Sequence, residues 1–158
     1  MVLEQFKEKD YEQLIQWIDS AELNYQWGGP AYDFPLTIEQ IADHCAQPDI
    51  TPYLFKIEGE NIGFVELLKV SSTQYRLCRV FIAEPFRRRG LATTMLEDVI
   101  IKAKSQFDCV EVSLAVFEHN HRAKRCYESL GFETYLEETG FQAPNGDSWD
   151  LALMEKRI

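Results

Sequence analysis

The spacing of hydrophobic residues changes several times along the chain, and each change predicts a new element. Alternating or short uninterrupted apolar stretches predict β-strands. Those in the first half of the chain span residues 2–6, 53–57, 62–67 and 75–83. The segment Glu58-Gly59-Glu60-Asn61 separates two of these stretches and predicts a hairpin connection, because glycine and asparagine suit tight turns.

Helical spacing, with apolar residues three or four positions apart, recurs four times. These patterns begin near Asp10, Thr37, Leu91 and His119. Thr37 with Gln40 resembles a capping box, so the helix that begins there is expected to end before Pro48. The helix after His119 is expected to end at Gly131, because glycine favours the left-handed conformation just past a helix.

The second half of the chain alternates strands with helices. Further strands are predicted over residues 109–116, 132–136 and 149–154. This order requires at least one right-handed crossover between parallel strands, whereas the hairpin in the first half is antiparallel. We therefore predict an α/β fold with a mixed sheet, formed by a single domain over residues 1–158.

The charge balance narrows the range of partners. The chain has 26 acidic and 16 basic residues and a formal net charge of −10. Nucleic acid is an unexpected partner, because phosphate neutralisation requires a basic surface, whereas a cationic substrate would be attracted. No apolar stretch approaches the length of a membrane helix, and the charged N-terminus does not resemble a signal peptide, so we expect no membrane partner and a cytoplasmic location.

No metal site is expected from the cysteines and histidines. The cysteines form no CxxC pair and stand mostly in apolar segments, which favours buried free thiols; they are Cys45, Cys78, Cys109 and Cys126. His119 and His121 are two positions apart, a spacing that would place them on different faces of a helix, and His44 is distant in sequence.

The stretch after the strand 75–83 is the most informative for chemistry. Three arginines, a glycine and small residues lead into a long helix: Arg87, Arg88, Arg89, Gly90, Leu91, Ala92 and Thr93. The first N–H groups of a helix lack internal acceptors, and residues without bulk let an anion approach them. This predicts a diphosphate cradle. The alternative is a solvated basic turn that caps an ordinary helix.

A second motif follows one strand later. Asn120 near a helix start is followed by Tyr127 and then by Gly131-Phe132. Taken separately, the asparagine could be a helix cap and the tyrosine a core residue. Together with the arginine turn, the order resembles the GNAT superfamily of acyl-CoA-dependent N-acetyltransferases, and the resemblance extends over about residues 62–154.

The resemblance implies a fold and a cofactor site. The GNAT-type fold is a mixed, mostly antiparallel sheet of about six or seven strands, flanked by about four helices, with a splay between two central strands. The arginine turn with Gly90 to Thr93 would hold the pyrophosphate of acetyl-CoA. Val80, Phe81 and Ile82 would bind its pantetheine arm opposite residues 112–116, and Asn120 would contact the same arm.

The resemblance also implies a reaction, transfer of the acetyl group to a primary amine by direct attack in a ternary complex. Tyr127 matches the tyrosine that protonates the departing thiolate. Positions that carry a glutamate base in some relatives are Ala115, Tyr75 and Arg76 here. Glu66 is our candidate base, because alternation places it on a largely apolar strand face; the alternative is a carboxylate in solvent. A non-catalytic acyl-CoA-binding module is the alternative function.

Recognition of the acceptor is expected in the N-terminal third. Trp27, Tyr32 and Phe34 belong to an aromatic, glycine-hinged loop that could wall a substrate pocket or could pack under the sheet. The loop 139–147 is expected to border the same cleft. The acceptor could be a small-molecule amine or an amine of a protein or peptide, and a monomer or a homodimer is equally compatible with the sequence.

Overall fold

A seven-stranded mixed sheet forms the centre of the computed structural model, which describes residues 1–158. Its strands are β1 (Val2–Gln5), β2 (Ile50–Ile57), β3 (Glu60–Lys69), β4 (Gln74–Ile82), β5 (Glu111–Phe117), β6 (Glu133–Gln142) and β7 (Ser148–Arg157). They lie in the order β1-β2-β3-β4-β5-β7-β6, and every neighbouring pair is antiparallel except β4 and β5. The predicted mixed, mostly antiparallel sheet is confirmed.

Five α-helices flank the sheet, one more than the four expected. They are α1 (Tyr11–Trp17), α2 (Ala21–Gly28), α3 (Ile38–Cys45), α4 (Leu91–Phe107) and α5 (His121–Ser129). The helix missing from the sequence prediction is α2, in which Ser20 is the N-cap and accepts a hydrogen bond from the Leu23 N–H at 3.1 Å. No helix of the structure has both the length and the apolar character required to cross a lipid bilayer.

Local sequence signals explain several element boundaries. The Thr37 hydroxyl accepts from the Gln40 N–H at 3.2 Å, so the cap of α3 forms as predicted. The Gln40 side chain does not complete a capping box, because its amide donates instead to the carbonyls of Asp33 and Pro35. The β2–β3 hairpin closes through two residues with positive φ, Glu58 and Gly59, rather than through four.

Two apolar cores lie on opposite faces of the sheet. Helices α4 and α5 cover one face, where Met95, Leu96 and Val99 pack with strand residues. Helices α1, α2 and α3 cover the other face through residues such as Leu14 and Trp27. Strand β6 is one of the two edge strands, opposite β1, and is exposed on both faces over most of its length.

Strands β4 and β5 separate soon after they begin. Their parallel pairing comprises only Gln74 with Glu111, Tyr75 with Val112 and Arg76 with Ser113. Beyond Arg76, the edge of β4 that faces β5 has no partner strand. Ala115 is exposed although it stands in the middle of an interior strand. The expected splay between two central strands is therefore present as an open cleft.

Close approach of β3 and β4 beside this cleft requires a glycine at position 63. A Cβ atom there would lie 2.5 Å from the Phe81 carbonyl oxygen and 2.8 Å from the Ile82 Cδ1. We expect Gly63→Ala to lower the free energy of unfolding by about 1–3 kcal/mol in urea denaturation, the usual cost of overpacking. Gly28→Ala is the control, because its Cβ would meet only ordinary contacts at 3.7 Å or more. Equal stability of the two variants would contradict this packing.

Candidate active site

The turn between β4 and α4 presents a row of free backbone donors. None of the six consecutive N–H groups from Arg88 to Thr93 donates to a protein acceptor. Arg88 and Gly90 both adopt positive φ, 67° and 73°, and Gly90 is the N-cap of α4. Curled N–H groups at a helix N-terminus form an anion-binding concavity, so the geometry supports the predicted diphosphate cradle over an ordinary capped turn.

The arginine side chains of this turn differ in what they contact. Arg87 Nε donates to the Ile82 carbonyl at 2.8 Å, and its guanidinium lies 5.3 Å from the centre of the Phe81 ring. Arg89 lies 5.9 Å from the centre of the Phe86 ring. Arg88 makes no such contact and is exposed. Arg87 is therefore fixed to the end of β4, and the backbone rather than the side chains forms the base of the cradle.

A β-bulge shapes the wall of the cleft formed by β4. Phe64 pairs with Phe81 and Glu66 pairs with Cys78, so β4 has one residue more than β3 in this interval. Arg79 lies within the bulge and has a φ of 51°. Bulges bend a strand and increase its twist, and this one lies just beyond the last β4–β5 pair, Arg76 with Ser113. Val80 is the second residue of the bulge, and with Phe81 and Ile82 it forms the last part of this wall.

Tyr127 lies on α5 and points into the core cluster that this helix covers. It is 8% exposed, and its ring packs edge-on against Phe132 at a centroid distance of 6.3 Å. Burial, with a smaller contribution from the neighbouring Cys126 thiol, raises the pKa of its hydroxyl. The hydroxyl makes no hydrogen bond to another protein group. Tyr127 therefore keeps its proton at neutral pH, and no protein acceptor holds that proton.

Asn120 closes the N-terminus of α5. Its side-chain oxygen accepts a hydrogen bond from the Ala123 N–H at 3.4 Å. The asparagine is therefore a helix cap, which was the alternative to a cofactor contact. Its amide nitrogen donates to no protein group, and it remains available to a ligand. The two roles are compatible, because the oxygen caps the helix while the nitrogen is free.

Glu66 is fully buried and bound on both sides. Arg79 Nε donates to its Oε1 at 2.6 Å, and His44 Nε2 lies 2.9 Å and 3.1 Å from its two oxygens. The alternative of a solvent-facing carboxylate is thus wrong. Contact between Glu66 and an amine would require this cluster to open, so its role as base stays a prediction that the geometry disfavours.

The aromatic loop is mostly part of the core. Trp27 is 8% exposed and Tyr32 is 4% exposed, and their rings stack at 5.7 Å. The Trp27 indole N–H donates to the Arg79 carbonyl at 2.9 Å. Packing under the sheet, the second of the two alternatives, describes the position of both rings. Phe34 is 40% exposed, and among the three it alone could meet an acceptor without rearrangement.

Helix α2 bridges the two sides of the cleft. Trp27 contacts the β4 side, whereas on the β5 side Tyr25 stacks on Phe117 and packs at a tilt against Trp149, each at a centroid distance of 5.6 Å. His119 Nε2 lies 3.0 Å from Gln26 Oε1. The helix that the sequence prediction missed therefore sets the relation between the two strand walls.

An open cavity of about 400 Å³ lies beside the C-terminal end of β5. Its lining residues are mostly acidic or polar: Glu118, His119, Asp147, Ser148, Trp149 and Asp150. Asp147, the last residue of the β6–β7 connection, borders it, and Ser148 begins β7. The expected loop 139–147 is shorter than predicted, because residues 139–142 belong to β6. The cavity adjoins α2 through the Tyr25–Trp149 and Gln26–His119 contacts.

Two groups of this region were not singled out in the sequence, Arg79 and His44. An arginine next to the apolar stretch Val80-Phe81-Ile82 was the available signal for Arg79, because a buried charge requires a partner. His44 gave no such signal, because nothing in the sequence places it beside Glu66.

The fold and the site together place a row of free backbone donors at the mouth of a split sheet. A sequence model described as the acetyltransferase (GNAT) family matches residues 11–132. This match covers more than half of the chain, and the chain belongs to that family.

Individual relatives are similar over part of their length. The chain is 32% identical over 73 residues to an N-alpha-acetyltransferase of Saccharolobus solfataricus. This alignment covers 46% of this chain and 44% of that protein. It is 35% identical over 57 residues to a spermine/spermidine N(1)-acetyltransferase of Bacillus subtilis. This alignment covers 36% of this chain and 38% of that protein. The chain thus spans less than half the length of these two curated relatives.

A solved structure agrees over nearly the whole chain. The spermidine N-acetyltransferase from Vibrio cholerae, in complex with CoA and spermine, superposes with a TM-score of 0.84 at 17% identity. The superposition covers 99% of this chain and 94% of that one. At this identity the likeness establishes the fold, and it confirms the GNAT-type architecture expected from the sequence.

Proposed function

We propose that this protein is an acetyl-CoA-dependent N-acetyltransferase whose acceptor is a primary amine of a small cationic molecule. The observation that carries the proposal is the row of six free N–H groups from Arg88 to Thr93 at the mouth of the β4–β5 cleft. A diphosphate would take these donors, and an extended pantetheine arm would take the unpaired edge of β4. Membership of the acetyltransferase family gives this arrangement its chemistry.

Direct attack requires little of the protein beyond position and polarity. The thioester supplies the acetyl group and a thiolate leaving group. The cleft would hold the neutral amine in line with the carbonyl carbon, and unpaired N–H groups of β4 would stabilise negative charge on the oxygen. The amine nitrogen forms the new bond to carbon as the carbon–sulfur bond breaks. Tyr127 would then give its proton to the sulfur, and the proton that the nitrogen loses on becoming an amide would pass through water to restore the Tyr127 hydroxyl.

A covalent enzyme intermediate on cysteine is disfavoured by the state of the thiols. Burial, with a contribution from Glu66, raises the pKa of the Cys45 thiol to about 12. Burial also raises the pKa values of Cys78 and Cys109. A thiol attacks as its thiolate, and these thiols carry almost none at neutral pH. Direct attack in a ternary complex therefore fits the site better than acyl transfer through these thiols.

The acceptor class follows from charge. The chain carries a net charge of −10, and the cavity beside β5 has three carboxylates, those of Glu118, Asp147 and Asp150. Among the similar proteins, the one from Bacillus subtilis acts on spermine and spermidine and the one from Vibrio cholerae on spermidine. A polyamine with several ammonium groups therefore fits this site better than a neutral amine.

Removing two of these carboxylates tests the acceptor assignment. We expect the double variant Asp147→Asn, Asp150→Asn to raise the KM for spermidine by roughly 2- to 30-fold, because each exposed charge contact contributes about 0.2–1 kcal/mol. The KM for acetyl-CoA should stay unchanged in steady-state kinetics. Glu58→Gln with Glu60→Gln, in the distant β2–β3 hairpin, makes the same change in net charge and controls for it. Equal effects of both pairs would contradict a local acceptor site.

A non-catalytic acyl-CoA-binding module is the second candidate, favoured by Ala115 at a position where some relatives carry a base. Thiol release from acetyl-CoA, followed over a panel of amines that includes spermidine, an aminoglycoside and a lysine peptide, separates the two. The enzyme predicts amine-dependent release, with intersecting lines when both substrates are varied. CoA binding without release on any amine would favour the module.

A further inference from the structure

The cluster around Glu66 is the most unusual part of the protein that the proposed reaction does not use. Glu66 has no exposed surface, and the Arg79 side chain is 12% exposed. Burial opposes the charge of Arg79, but Glu66, together with Cys78 and Tyr32, more than offsets this, so the pKa of the guanidinium is raised. A buried ion pair contributes little net stability when compared with apolar residues of the same volume. Its presence beside the cleft therefore calls for another role.

The ion pair is attached to the bulge itself. Arg79 has a φ of 51°, in the left-handed region that long side chains rarely adopt. Its side chain is held by Glu66 and its carbonyl by the Trp27 indole, so the residue is fixed at both ends. Strained backbone of this kind persists only where the surroundings over-determine it. Here three separate elements, β3, α3 and α2, supply the restraint through Glu66, His44 and Trp27.

His44 completes the restraint from α3. Its Nε2 faces both oxygens of Glu66, and the Gln47 amide lies 3.4 Å from its Nδ1. A donating Gln47 amide leaves Nε2 as the protonated ring nitrogen, which then donates to the carboxylate. Glu66 thus cannot rotate away from Arg79 without losing its bonds to two partners.

We propose that Glu66 is a positioning residue, which holds Arg79 in the left-handed conformation and thereby fixes the bulge that aims the unpaired edge of β4 into the cofactor cleft. The bulge determines which β4 N–H groups face β5, because a shift of one residue would turn each of them to the other side. Glu66 acts through Arg79 and needs no contact with either substrate. This inference rests on the proposed function only for the identity of the ligand.

Variants at position 79 separate conformation from charge. Glycine adopts positive φ freely, whereas alanine resists it, and both remove the guanidinium. In a Glu66→Gln background, neither variant leaves an unpaired buried charge at these two positions. We therefore compare Glu66→Gln alone with Glu66→Gln/Arg79→Gly and Glu66→Gln/Arg79→Ala, since Arg79→Gly alone would strand the Glu66 carboxylate.

The first measurement is CoA affinity by titration calorimetry, with no acceptor present. Glu66→Gln should weaken CoA binding by about tenfold, a typical coupling for groups in direct contact. The Arg79→Gly double variant should recover most of this loss, and the Arg79→Ala double variant should not. Equal affinities for glycine and alanine, or unchanged affinity in Glu66→Gln, would overturn the positioning role. Urea denaturation of each variant confirms that the comparison is made on folded protein.

The second measurement is turnover, which distinguishes positioning from a role as base. A positioning role predicts that kcat/KM for acetyl-CoA follows CoA affinity across the three variants. A base predicts that all three lose kcat by about 10²–10⁴-fold, whatever residue stands at 79, while CoA affinity is retained. Absence of turnover in the wild type would contradict the proposed function, yet the affinity comparison would still decide the role of Glu66.

Discussion

Gly90→Glu is expected to abolish CoA binding in calorimetry. The N-cap of α4 is in the left-handed conformation at φ 73°, and nothing lies within 4 Å of the position its Cβ would occupy. A glutamate would extend a carboxylate into the open space where the diphosphate is expected. It would repel that anion and displace the adjacent N–H donors. Loss of two charge-assisted hydrogen bonds, about 1.5–3 kcal/mol each, corresponds to a loss in affinity of roughly 100-fold or more.

Two further variants make this result specific. Gly59→Glu introduces the same side chain at φ 81° in the β2–β3 hairpin, where space is also open, so it matches the backbone strain and charge but not the location. Its CoA affinity should equal that of the wild type. Arg88→Ala should weaken binding far less than Gly90→Glu, because the backbone forms the base of the cradle. Unchanged CoA affinity in Gly90→Glu would show that the turn before α4 does not bind the diphosphate.

Tyr127→Phe is expected to lose turnover while it still binds acetyl-CoA. The substitution keeps the ring that packs against Phe132 and removes only the hydroxyl, which makes no hydrogen bond to protein. Because burial raises the pKa of this hydroxyl, it remains protonated across the range in which an amine acceptor would be assayed. A positioned general acid contributes about 10²–10⁴-fold to the rate, so kcat should fall by that factor.

Tyr53→Phe is the matched control for this loss. Tyr53 belongs to the same core cluster and is 6% exposed, compared with 8% for Tyr127, but it lies on β2, away from the cleft. Its removal should leave kcat unchanged. A Tyr127→Phe variant with normal kcat would instead show that Tyr127 is a packing residue, whose ring the substitution retains.

Short-range patterns predicted most elements of the fold and the free backbone donors of the turn that leads into α4. The signals in Arg87 to Thr93 are local: a strand end, a glycine and a helix start within a few residues, and backbone geometry there depends little on distant contacts. The same is true of the α3 cap at Thr37. In both places, residues close together in sequence determine the local backbone structure.

Features that depend on distant partners were missed. Helix α2 has two buried residues in eight, Asn24 and Trp27, so hydrophobic periodicity gave little signal for it. The bulge at Arg79 shifts the β4 register by one residue, which alternation cannot reveal. The partners of Glu66 come from α3 and β4, at separations of 22 and 13 residues, and only the folded chain brings them together.

The most direct test of the central claim follows the acetyl group itself. Wild-type protein is incubated with acetyl-CoA deuterated in its acetyl group and with spermidine, and the products are resolved by mass spectrometry. The account predicts spermidine that carries the labelled acetyl group on a primary nitrogen, formed in equal amount with free CoA and absent with Gly90→Glu. Tight CoA binding with no labelled product from spermidine or any other amine tested would contradict the account.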